Sequence, residues 1–147
     1  MDLSITDISR CYFLNKKKLK DIVRFILKSI DIHDADLSIV FTTDRKIKRL
    51  NYLYRKKNRV TDVLSFSMQE GKRLKRDSSI LGDIVISVER AKKQAKRFNS
   101  TFKNEIYLYL IHGILHLAGY GDENPSSRDR MRKKESKILN ALLGTGL

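Results

Sequence analysis

The segment KNEIYLYLIHGILHLAGYGD, Lys103 to Asp122, decides how the rest of the chain is arranged. Ile106, Leu108, Leu110, Ile111, Ile114, Leu115 and Leu117 are spread around the whole circumference of a helix rather than along one stripe. A helix apolar all round is a buried, central one. The spacing predicts such a helix over about Lys103 to Ala118, stopped by Gly119. His112 and His116 interrupt the apolar run. Standing four apart, they project from one face and their ring nitrogens can converge on one point, the i, i+4 geometry of helical metal sites. Asp122 follows, with Gly119 placed to let the chain leave the helix and turn back. A carboxylate is a competent third ligand in this His-x3-His-x2-Gly-x2-Asp spacing, and three protein ligands leave a position open for water. A single histidine in an apolar helix is more often a satisfied core residue. Two of the chain's three histidines on one face of its most apolar helix, followed by glycine and a carboxylate, favour a metal instead. His33, in a loop-like stretch near Asp31 and Asp34, reads as a surface residue.

Upstream of this helix, Ser4 to Phe13 has the mixed pattern of a first strand, with Ile5, Ile8, Tyr12 and Phe13 as its apolar members. Asn15 offers an N-cap to an amphipathic helix carrying Leu19, Ile22, Val23, Ile26, Leu27 and Ile30. Leu37 to Thr42 is short and β-branched and reads as a strand bounded by Asp34 and Asp36. Thr43 or Asp44 then caps a helix with Ile47, Leu50, Leu53 and Tyr54 on its packing side. Arg55 to Asp62 reads as a polar, basic loop. Val63 to Met68 and Ile80 to Ser87 read as two buried strands of a hairpin whose long, charged tip runs from Glu70 to Ser79. Ser87 can cap a helix from Val88 to Phe98. Downstream, Pro125 opens a last helix packed through Met131, Ile138, Leu139 and Leu142. The expected architecture is α+β and metal-hydrolase-like: a small mixed four-stranded sheet packed with about five helices, the central buried helix carrying the histidine pair.

At 147 residues and 41% hydrophobic content, the chain is expected to form a single domain, residues 1–147, with one core. The lone Cys11 excludes an intramolecular disulfide and a cysteine-rich zinc site, and suits a reducing compartment. No signal-like start and no long apolar run are present, so a soluble, unexported, cytoplasmic protein without a membrane is expected. Lys and Arg total 31 against 17 Asp and Glu, a formal net charge of +14 that attracts polyanions. The charge is gathered at Lys16 to Lys20, Arg55 to Arg59, Lys72 to Arg76, Lys92 to Arg97 and Arg128 to Lys134. Any one run reads as a solvated face; their sum needs a partner. A membrane-surface helix would carry Trp or Phe beside its lysines, and the chain has no Trp, so nucleic acid is the better partner.

The peptidase pattern His-Glu-x-x-His places its general base beside the first histidine, where this chain has Gly113. The pattern disfavours peptidase chemistry in that form but leaves metal-assisted attack on a phosphodiester open. A polyanionic substrate also needs a cation at the phosphate. Arg55 is the first candidate, with Lys56, Lys57 and Arg59 behind it.

Four co-linear motifs carry a resemblance: Leu50-Asn51 with Tyr54-Arg55, Thr61 to Phe66 (TDVLSF), Leu81 to Ser87 (LGDIVIS), and His112 to Tyr120 (HGILHLAGY). Together they resemble the YbeY-type bacterial rRNA maturation endoribonucleases over roughly Leu50 to Met131. The resemblance implies a single-strand-specific, metal-dependent endoribonuclease, usually a zinc protein, that matures the 3′ end of small-subunit rRNA and takes part in ribosome quality control. It implies single-stranded RNA and the small ribosomal subunit as partners. It also puts the family's active-site arginine on Arg55 and its first two metal ligands on His112 and His116, which makes Arg55, His112 and His116 the expected catalytic residues. The family pattern departs at the third ligand: its histidine position is Asp122 here, and Gly121 replaces the preceding aspartate. One zinc ion held by His112, His116 and Asp122 is expected, with Glu123 as the alternative third ligand in a shifted register and another divalent metal admitted by the carboxylate. Val60 stands where the family has proline, a change in loop stiffness. A non-catalytic RNA- or ribosome-binding factor, with a structural or weakened metal site, is the second reading, and the basic charge serves both.

Overall fold

The structure is a computed structural model and describes residues 1–10, 14–68 and 79–147. Its sheet is built from β1 (Asp2–Asp7), β2 (Asp34–Thr42), β3 (Val63–Ser67) and β4 (Ser79–Ser87). The helices are α1 (Lys16–Ser29), α2 (Asp44–Arg55), α3 (Val88–Arg97), α4 (Phe102–Leu117) and α5 (Pro125–Gly144). Strand order is β1-β2-β4-β3. β1 and β4 run parallel to β2, and β3 runs antiparallel to β4, so the sheet is mixed as expected.

Side-chain alternation sets the two faces of the sheet. Leu37, Ile39 and Phe41 of β2 and Ile84 and Ile86 of β4 point into the main core, against Ile22, Ile26 and Leu27 of α1 and Leu110, Ile111 and Ile114 of α4. Val85 and its register partner Leu64 point the other way and form a second cluster with Ile47 of α2. α4 touches α1, α3, α5, β3 and β4, which is why its apolar residues need no favoured stripe. Gly113 faces the sheet. A β-carbon there would come within 2.9 Å of Ile84 Cγ2 and 3.2 Å of Ser65 Oγ, so close packing demands glycine where a peptidase would carry glutamate.

Capping chemistry fixes the helix ends. Asn15, Thr43, Ser87, Thr101 and Asn124 each accept an N–H of the following turn. Gly119 adopts a left-handed φ of 103° and closes α4, with Gly119 N–H bonded to His116 O and Tyr120 N–H to Leu115 O.

Several expectations are corrected. The first strand is Asp2–Asp7 rather than Ser4 to Phe13, because the Asp7 carboxylate accepts from both the N–H and the hydroxyl of Ser9 and turns the chain. Cys11, Tyr12 and Phe13 lie outside the described residues, as do the hairpin tip and the Lys72 to Arg76 cluster. β2 begins at Asp34; Asp34 and Asp36 are exposed members of the strand, held by the N-terminal amine and the Asp2 N–H. Leu53 and Tyr54 are not on the packing side of α2 but are 50% and 67% exposed, and the buried positions are Ile47 and Asn51. Arg55 is the last residue of α2, not part of a loop.

Candidate functional site

His112 and His116 lie in the last two turns of α4, with their Nε2 atoms 3.0 Å apart and the rings inclined at 78°. Past the Gly119 turn the chain brings an Asp122 carboxylate oxygen to 3.7 Å from His116 Nε2. One ligand atom from each of the three residues falls within 4.8 Å of the others. Glu123 does not belong to this group; its carboxylate accepts from the Ser127 hydroxyl on α5. His33 is exposed and apart from it.

The donor set fits a divalent metal. Nδ1 of His112 is held by the Glu135 carboxylate at 2.5 Å, which leaves Nε2 turned toward His116. A carboxylate behind a ligating imidazole is the usual outer partner of histidine metal sites. Two nitrogens on one tetrahedral zinc, each about 2.0–2.1 Å from the ion, stand about 3.3 Å apart, close to the separation found. Burial pushes the His112 imidazole down, but the Glu135 hydrogen bond and charge outweigh it and leave its pKa raised. Burial and the neighbouring charge of His112 lower His116, although Asp122 and the Tyr120 backbone oppose them.

These residues form one wall of a cleft of about 470 Å³. Arg55, Lys57, Arg59 and the β3 residues Ser65 and Ser67 line the same cleft. Arg55 Nη2 donates to the Ser65 carbonyl at 2.8 Å, and its guanidinium lies 5.7 Å from the centroid of the Phe66 ring. Asn51, buried in α2, donates to Arg59 O at 3.0 Å and ties the basic loop to the helix. Lys56, in a left-handed conformation at the helix end, does not line the cleft.

A cation in the same cleft as a histidine–carboxylate cluster suits a phosphodiester. The family model described as endoribonuclease YbeY matches residues 6–143. The chain belongs to the endoribonuclease YbeY family. A relative from Heliobacterium modesticaldum, named endoribonuclease YbeY, is 42% identical over 74% of this chain and 70% of its own length. Another so named, from Geobacter metallireducens, is 34% identical over 100% of this chain and 99% of its own. A Thermotoga maritima protein solved in solution superposes with a TM-score of 0.67 at 28% identity, covering 97% of this chain and 90% of that one.

Glu135 lies outside the four motifs that carry the YbeY-type resemblance. A signal was present: Met131, Ile138 and Leu142 are the buried positions of α5, and Glu135 falls on the same helical face. A carboxylate inside an apolar stripe needs a partner. The bracing of Arg55 by Ser65 and Phe66 was not legible in the sequence, since neither contact has a local signature.

Proposed function

We propose that the chain is a single-domain, metal-dependent endoribonuclease, residues 1–147, that cuts single-stranded RNA. Its metal is one zinc ion held by His112, His116 and Asp122, and its catalytic residues are Arg55, His112 and His116. Its place is the cytoplasm, at the small ribosomal subunit, in maturation of the 3′ end of small-subunit rRNA and in ribosome quality control. The observation that carries the reading is the cleft itself, which gathers the Arg55 cation with His112, His116 and Asp122 in a chain of the YbeY family. The ribosomal assignment is supported by that kinship and by a net charge of +14 suited to a large polyanion. Among the described residues no helix is long and apolar enough to cross a membrane.

A divalent metal bound there supplies Lewis acidity, polarising a phosphoryl oxygen and making water a nucleophile near neutral pH. The protein's own groups do the positioning. Glu135 holds the His112 ring so that Nε2 faces the cleft, and the rigid end of α4 sets its spacing from His116. Arg55, with Nη2 bonded to Ser65 O, keeps further N–H donors for the phosphate oxygens as negative charge builds on them. Lys57 and Arg59 hold the strand through phosphate contacts that carry no sequence information.

Cleavage of a single-stranded RNA by the purified protein, with and without chelator and beside His116→Ala, tests the reading. Metal-dependent cleavage lost in His116→Ala is expected. Binding without cleavage under any metal would leave a non-catalytic RNA-binding factor. Accumulation of 3′-extended small-subunit rRNA in cells lacking the gene tests the ribosomal role.

A further inference from the structure

Tyr54 is 67% exposed, more than any other large apolar side chain among the described residues, at the end of α2 next to Arg55. An aromatic ring so placed contributes little to the core. It is nonetheless held: its ring meets the Phe66 ring edge-on, with centroids 5.5 Å apart and planes at 64°. Phe66 is fixed in turn by packing against the Ile47–Leu64–Val85 cluster and by the Arg55 guanidinium at 5.7 Å. Ser65 and Ser67, on either side of Phe66, point to the opposite face and line the cleft. Because β3 is the outermost strand, Arg55 reaches around its edge, touching Phe66 while its guanidinium borders the cleft.

We propose that Tyr54, braced by Phe66 and Arg55, is a base-stacking platform for the nucleotide next to the phosphate that Arg55 receives. This rests on the reading of the cleft as an RNA-cleaving site. An RNA strand with its phosphate at Arg55 carries the neighbouring base past the β3 edge, where Tyr54, edge-on to Phe66, offers an exposed ring. Arg55, Lys57 and Arg59 line the cleft that path leaves, and their positive charge selects a nucleic acid over an apolar peptide as the occupant. The platform also provides selectivity. A base in a duplex is already stacked and paired, so only an unpaired one can move onto the ring without that cost. Tyr54 is thus a specificity-determining residue for single strands, separate from the metal cluster.

The test uses the full chain and a single-stranded RNA oligonucleotide with 2-aminopurine walked along its positions, compared with the same sequence as a duplex. The parent protein should quench the fluorophore most at one position beside the cleavage site. Tyr54→Ala should lose that quenching, bind the single strand roughly tenfold more weakly and discriminate less against duplex. Tyr54→Phe should behave as the parent, since stacking needs the ring and not the hydroxyl. An abasic nucleotide at the quenched position should weaken parent binding but cost Tyr54→Ala nothing more. Unchanged quenching and affinity in Tyr54→Ala, or loss in Tyr54→Phe equal to that in Tyr54→Ala, overturns the platform while leaving the cleavage reading intact. A parent protein that neither binds nor cleaves the single strand overturns the cleavage reading and the platform with it.

Discussion

Glu135 of α5 lies 2.5 Å from Nδ1 of His112 on α4, so one helix orients the imidazole that another presents to the cleft. Replacing the carboxylate by an amide removes the charge that raises the basicity of Nε2 and weakens the hydrogen bond that orients the ring. Glu135→Gln should therefore weaken metal binding by about 10- to 100-fold while leaving the fold in place. Competition against a chromogenic chelator measures this directly. Equal affinity in the variant and the parent would mean that the ring is held by helix packing alone.

Arg55 is exposed, and its side chain spans the edge of β3 rather than filling a core. Arg55→Ala should lower kcat by about 10²- to 10³-fold, the scale of losing one charge-stabilising donor in a transition state, with little change in thermal stability. Arg55→Lys should recover only part of it, because an ammonium cannot both hold the Ser65 carbonyl and offer a planar fork to phosphate. Steady-state kinetics beside a melting curve separates the two effects. Cleavage by Arg55→Ala at the parent rate would remove Arg55 from the mechanism.

The central helix was legible in the sequence because its information is local. An all-round apolar run, a His pair at i, i+4 and Gly119 need no knowledge of distant residues. The ends of α1 and α3 were legible for the same reason, since Asn15 and Ser87 satisfy N–H groups within their own first turns. Exposure on α2 was not. Leu53 and Tyr54 have the spacing of a packing stripe, but α2 packs on β3, β4 and α3 through its other side and leaves these two largely exposed, with only the edge of Phe66 against Tyr54. The start of β2 was hidden as well, since pairing with β4 from Asp34 and with β1 from Asp36 extends it through two aspartates that propensity would exclude. The YbeY-type resemblance implies a shared site for His112, His116 and Arg55, whereas the cross-helix contact of Glu135 shows in the sequence only as a carboxylate among Met131, Ile138 and Leu142.

Asp44 joins the N-termini of α2 and α3: it accepts from Ser87 Oγ at 2.6 Å and from Lys93 Nζ at 2.7 Å, and Arg90 stands 3.8 Å away. Burial pushes its carboxyl up, but these hydrogen bonds and charges win and hold its pKa below the usual aspartate value. A carboxyl depressed in the folded state stabilises fully above its unfolded pKa of about 3.9 and loses that stabilisation as pH falls toward the lower folded value. Asp44→Asn should cost about 1–2 kcal/mol at neutral pH, as for a partly buried charged hydrogen-bond acceptor. The gap from the parent should shrink below about pH 4. Urea denaturation across the acid range checks both halves, and a gap independent of pH would show that the carboxylate's charge is not what stabilises the junction.

The resemblance to the YbeY-type pattern puts Asp122 at its third-histidine position, and the consequences of a carboxylate there can be measured on the metal itself. An anionic carboxylate in place of a neutral imidazole lowers the net charge of the metal centre by one unit, making the metal a poorer Lewis acid. Carboxylate oxygen also suits manganese and magnesium better than imidazole does. Asp122→Ala should lose metal occupancy. Asp122→His should regain it and shift preference toward zinc over manganese. The Asp122 side chain is 56% exposed, so neither change should disturb folding. Elemental analysis of the parent and both variants after identical dialysis, followed by competition between zinc and manganese, gives the answer. If Asp122→Ala retains metal as tightly as the parent, Asp122 is not a ligand, and the two histidines must bind with solvent completing the site.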